Sequence, residues 1–294
     1  MPMNRKDAKR IKLPALMQCC IDLKPRRADN TVYINRKMDV TELVDYIGEK
    51  KAQGENITYF YAFMAAIGRV IYNRPKLNRF ITNRHLYEHN KVTLAFVAKM
   101  TLNDSAEELM LVQEIAPEDN LATLAGKLGD KVHKLREKAS VKKKGANSAT
   151  DGLSLLPNPI RIPIFGLIKW ADKHGLLPAS LCRDNIYYSS MIVSNLGSIG
   201  CGAIYHNLAD FGTSSSLTTM GEIVPTQVVM PDGSVQIRQL CEFGMTLDER
   251  IGDGFYFAKS CKMIEYLLSH PKLLEERADA PLVMEGKKEG KKDE

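Results

Sequence analysis

Two short stretches hold the residue types on which chemistry could rest. Asp248 to Gly254 reads DERIGDG, three acids and an arginine between a predicted strand and a predicted helix, and Ser194 to Gly197 reads SNLG at the end of another predicted strand. A general base works best with a pKa near the working pH. Free glutamate, at about 4.3, lies roughly two units below histidine at about 6.5, and burial in a dry site closes that gap. Glu249 is therefore a base if its surroundings are apolar, and an ordinary ion-pair partner of a lysine or arginine if they are not. Ser194 offers a hydroxyl donor; its plain reading is a strand-end serine in a turn with Asn195 and Gly197. His206, in CGAIYHNLADFG, is a substitute base, although a lone loop histidine is more often a surface residue. No Ser-His-Asp triad, phosphate-cradling glycine loop or metal-ligand spacing is present in the sequence.

The elements that position these residues follow from periodicity. TVYINRKM at 31–38 alternates as a strand, and a helix begins near Asp39, with Leu43, Val44 and Ile47 at helical spacing and Gly54 at its end. A second, more apolar helix opens at Thr58 and stops before Pro75. Strands are expected at 84–87 and 92–99, and a helix at 118–139. Further strands are expected at 186–194, 217–224, 226–230, 235–240 and 242–248, with a hairpin turn at Pro231 to Gly233, and a last helix at 254–270. Between them, 141–185 is a helical, proline-punctuated insertion around Trp170. A cover over the core is its first reading, a channel lid its second and a membrane-surface helix its third, given few basic residues. One α/β domain with a mixed sheet flanked by helices results, at 30–275, after a leading segment at 1–29 and before a charged, disordered tail at 276–294.

Composition sets outer limits. The chain has 294 residues, 44% hydrophobic and 26% charged, as an ordinary globular protein does. No apolar run suits a signal peptide or membrane span, so a cytoplasmic location is expected. The six cysteines lack paired spacing. The net charge of +6 is concentrated in the first residues, the lysine run after Val141 and the tail. Without interleaved aromatics these runs do not suggest nucleic-acid binding, and membrane contact is not expected, although a basic rim suits a polyanion such as coenzyme A.

Together with MDVTELVDYI, NITYFYAFMAAIGRVIYNRPKLNRF and VTLAFVAK, the SNLG and DERIGDG stretches make the sequence resemble one known family. It is the dihydrolipoyl acyltransferase catalytic domain of the 2-oxoacid dehydrogenase complexes, with chloramphenicol acetyltransferase, which shares the fold. The resemblance implies a chloramphenicol acetyltransferase-like α/β fold, a homotrimer, and active sites in channels between subunits. It implies transfer of an acyl group from a coenzyme A thioester to a small thiol, hydroxyl or amine acceptor, with no metal. In the family motif D-H-R-x-x-D-G a histidine takes the acceptor's proton; here Glu249 stands at that position, beside the retained Asp248, Arg250, Asp253 and Gly254. Ser194 matches the serine that donates to the oxyanion. Asp253 matches a loop-holding aspartate, and Gly254 a glycine that lets the next helix approach closely. Glu249 as an atypical base is the expected reading, and a catalytically inactive trimeric homologue used for binding or scaffolding is the alternative. Because the resemblance starts about thirty residues into the chain, a free-standing transferase is expected rather than the core of a dehydrogenase complex.

Overall fold

A computed structural model describes residues 5–99, 108–141 and 155–284. The lysine run after Val141 and the end of the tail lie outside the described residues. Helices α1 (Ala15–Leu23), α2 (Thr41–Ala52), α3 (Tyr59–Asn73), α4 (Leu121–Val141), α5 (Asn158–Lys173) and α6 (Gly254–Ser269) accompany nine strands. These are β1 (Ala8–Ile11), β2 (Thr31–Asp39), β3 (Arg79–Thr82), β4 (His85–His89), β5 (Val92–Lys99), β6 (Glu108–Ile115), β7 (Met191–Asn195), β8 (Ser216–Val229) and β9 (Val235–Asp248).

Local chemistry fixes the helix starts. Asp39 accepts from the Thr41 amide and hydroxyl ahead of α2, and the Thr58 hydroxyl accepts from the Tyr61 amide at the start of α3. Gly54 takes φ +84 just beyond α2. The apolar faces then assemble one core, in which Leu43, Ile47, Phe63, Ile67, Ile264 and Leu268 pack on Met38, Phe243 and Met245 of the sheet. Each fully buried side chain of this size contributes about 1.5–3 kcal/mol.

The main sheet runs β2-β9-β8-β7-β5-β6, mixed because β7 is parallel to both neighbours while the other pairs are antiparallel. Alternation along β7 sends Met191 and Val193 into the helix-covered core and leaves Ile192 and Ser194 on the other face. A second sheet, β1-β4-β3, is separately hydrogen-bonded and adds Ile81 and Leu86 to the same core.

Several expectations need correction. The strand expected from Ile186 begins only at Met191, after a turn of 3-10 helix at Ile186–Tyr188. The four strands expected across 217–248 are two long ones, because Pro225 lies within β8 and an irregularity between Met220 and Ile223 absorbs the change in register. The start of the tail is packed, not disordered: the Ala278 amide donates to Asp119 O at 2.6 Å and the Leu282 amide to Asn73 Oδ1 at 2.8 Å. Nor does α5 cover the core. Asp172 is its one buried residue, Ile164 and Ile168 are half-buried, and Ile160, Ile162, Phe165, Leu167 and Trp170 face outward.

Candidate active site

The DERIGDG stretch divides at once into buried and exposed residues. Asp248 ends β9 fully buried, and Arg250 grips it with two hydrogen bonds, Nε to Oδ1 at 2.8 Å and Nη2 to Oδ2 at 2.6 Å. The remaining Arg250 nitrogen donates to Pro25 O at 2.8 Å, tying the turn to the leading segment. Asp253 caps α6, accepting from the Tyr256 amide at 2.7 Å. Gly254 departs from its expected role, since a Cβ there would meet open space; the close approach falls at Gly252, against Tyr256 and Phe257.

Glu249 lies between these anchors with its backbone fixed, its amide donating to Asn30 O at 2.8 Å. Its side chain is 44% exposed, and Lys24 Nζ approaches Oε1 at 3.5 Å from an equally open position. A surface pair of this kind is worth at most about 1 kcal/mol. Within one chain Glu249 is a solvated carboxylate beside a lysine, not a desolvated one.

Ser194 stands in different surroundings. It lines a cavity of about 220 Å³ with Val97, Ile192, Leu208 and Leu217 as apolar walls, and His206, Asn207 and Ser214 among its polar groups. His206 thus shares a cavity with Ser194, and its Nε2 is buried with no hydrogen-bond partner among the described residues. The turn after Ser194 is sterically set by Gly197, where a Cβ would fall 2.5 Å from Gly221 O. Asn195 Oδ1 beside it is also buried without a partner among the described residues.

Arg27, which sequence reasoning passed over, joins the two regions. Its side chain donates to Ala209 O and to Gly212 O, its amide donates to Asp210 Oδ1 at 2.7 Å, and its Nε lies 3.7 Å from Asp248 Oδ2. One buried guanidinium therefore fixes the loop bearing His206 and faces the acid that ends β9. Tyr33 adds a ring contact to Tyr205 and a hydrogen bond to Asn207 on the same loop. The signal was slight: two arginines in PRRADN, outside any periodic segment.

Ser194 and Glu249 do not meet in one chain. Ser194 pairs with Thr219, and Thr219 with Gly244, so Ser194 lies level with Gly244, five residues before Glu249. Two strand spacings across and five residues along place the two residues on the order of 20 Å apart. Because β7 and β9 run in opposite directions, the strand ends that carry the two motifs point opposite ways along the sheet. No group of His, Cys, Asp and Glu suited to a metal ion occurs among the described residues.

Comparison with known proteins agrees with this architecture. Residues 179–275 match the family described as 2-oxoacid dehydrogenases acyltransferase (catalytic domain). The cubic core of the pyruvate dehydrogenase multienzyme complex is similar, with a TM-score of 0.59 at 17% identity over 90% of this chain and 93% of that one. The dihydrolipoamide acetyltransferase of Azotobacter vinelandii gives 0.58 at 18% identity, over 90% and 93% of the two chains. A chloramphenicol acetyltransferase gives 0.53 at 12% identity, over 89% and 99%. No curated protein sequence matches. The fold is chloramphenicol acetyltransferase-like, a mixed six-stranded sheet with helices.

Proposed function

We propose that this protein is an acyl-coenzyme-A-dependent acyltransferase whose site forms between two copies of the chain, Ser194 coming from one and Glu249 from the next. The separation of the two residues along one sheet carries this reading, since neither reaches the other without a second copy. The family match over 179–275, which includes both, supports it. A neighbouring copy seated over Glu249 displaces Lys24 and water, and a carboxylate taken out of water is a stronger base. The acceptor's hydroxyl, thiol or amine then attacks the thioester carbonyl while its proton passes to the Glu249 carboxylate. Ser194 donates to the oxyanion; as that intermediate collapses the C–S bond breaks, and the departing coenzyme A thiolate takes the proton back, restoring the carboxylate.

Two observations support competing readings. His206 shares the cavity of Ser194, which makes it a proton acceptor available within one chain. The contact of Lys24 with Glu249 favours a non-catalytic homotrimer that keeps the fold for binding or scaffolding. Thiol release from a panel of acyl-coenzyme A donors with small acceptors separates the three. The proposal expects Ser194→Ala to cost about 100-fold or more, Glu249→Ala to abolish turnover and His206→Ala to leave most of it. Loss with His206→Ala but not Glu249→Ala makes His206 the base. No release above a protein-free control, with any donor, leaves the non-catalytic reading.

A further inference from the structure

Helix α5 is rich in apolar residues, and the described residues bury Ile164 and Ile168 only in part and leave five other large side chains exposed. Ile160, Ile162, Phe165, Leu167 and Trp170 are each between 42% and 66% exposed, while Asp172 is the helix's one buried residue. At about 100° per residue these five side chains spread over an arc of roughly 220°, about twice the stripe that a helix usually turns toward a protein neighbour. A second copy of the chain would cover one flank and leave the rest wet. A fluid lipid interface takes up apolar side chains across the whole arc while leaving the lysines of the last turn free to reach the headgroups.

The charges point the same way. Asp172 is the only acid on α5 and is turned inward, accepting from the Tyr188 hydroxyl at 2.7 Å and the Gly212 amide at 3.0 Å. Arg5 donates to its backbone oxygen, so this end of the helix is fastened to the body. The exposed charges are Lys169 and Lys173, in the last turn and projecting within the arc between Phe165 and Trp170, and Arg161 is half-buried. At 16 residues the helix is too short to span a bilayer, and among the described residues no helix is long and apolar enough to do so. An apolar arc with lysines and a tryptophan at one end matches a helix lying in the lipid interface. Its apolar side chains enter the acyl boundary, its lysines reach up to phosphates, and its indole sits at headgroup level.

We propose that α5 docks this protein on the surface of an anionic lipid bilayer. The proposal is independent of acyl transfer, because none of these residues lines the Ser194 cavity. Periodicity alone does not reveal that these apolar residues are exposed, and their exposure favours a membrane-surface helix over a core cover.

Trp170 is the chain's single tryptophan, so its emission reports on α5 alone. The full chain is mixed with vesicles of phosphatidylcholine, with or without phosphatidylglycerol, and followed by fluorescence and co-sedimentation. Emission is expected to shift to the blue, and the protein to sediment, with the anionic vesicles; brominated acyl chains should quench it. Ile162→Glu together with Leu167→Glu should abolish binding without moving the melting temperature, as both side chains are exposed. Lys169→Glu with Lys173→Glu should weaken binding roughly 25-fold or more, at about fivefold per basic side chain. No shift and no sedimentation with either vesicle would overturn the proposal, and so would equal binding to both. A blue shift that grows with protein concentration in the absence of lipid, and vanishes with the oligomer in the Glu variant, would instead assign the face to a second copy.

Discussion

Asp248 and Glu249 are adjacent carboxylates in opposite environments. Two arginines surround the first, one in bidentate contact and one at 3.7 Å, and among the described residues nothing dries the second. Asp248→Asn leaves two buried guanidinium groups under-compensated and is expected to cost about 3–5 kcal/mol in urea unfolding. Glu249→Ala should stay within about 1 kcal/mol in the same measurement, because it gives up only a surface pair. Similar losses of stability from both variants would refute this division. From the sequence, the retained letters of DERIGDG indicated the fold, but which acid was buried depended on Arg27, Arg250 and Asn30 as they meet in space. His206 was visible only as a loop histidine, since its cavity is assembled from β5, β7, β8 and the 206–209 loop.

Elements with clear periodicity were legible: α2, α3, α4 and α6 carry apolar stripes with capping residues, and β2 and β5 were recognised by their alternation or apolar run. β1 and β3, at four residues each, are too short to establish a period, and they exist because β4 pairs with both. β8 and β9 read as four strands because a proline and a register irregularity interrupt a ladder that tertiary pairing sustains. The SNLG turn depends on close backbone approach. Gly197→Ala should push β7 away from Gly221, at a cost of about 1–3 kcal/mol, and should reduce thiol release by more than the lost stability explains. Normal turnover in a destabilised Gly197→Ala protein would mean that the turn does not position Ser194.

At the scale of the whole molecule, the small sheet introduces a pH dependence. Burial, the largest influence, pushes the His89 imidazole down to about 4, with Asp7 opposing and Arg5 and Arg27 reinforcing the shift. Its ring packs against Phe80 at 4.5 Å between centroids. The folded state holds this imidazole neutral, while the unfolded chain protonates it below about 6.5. The stability it contributes is therefore full above about pH 6.5 and drains as pH falls toward 4, by on the order of 3 kcal/mol. Unfolding midpoints measured across that window should slope downward with acid, and His89→Gln should flatten the slope; an unchanged slope would mean that other groups carry it. The assembly bears on function more directly, because a site shared by two copies can be rebuilt from two defective chains. Ser194→Ala and Glu249→Ala chains, each inactive alone, should when co-expressed regain roughly a quarter of wild-type thiol release, as random pairing of copies restores one intact site in four. No recovery in verified mixed oligomers would contradict a site built from Ser194 of one copy and Glu249 of the next.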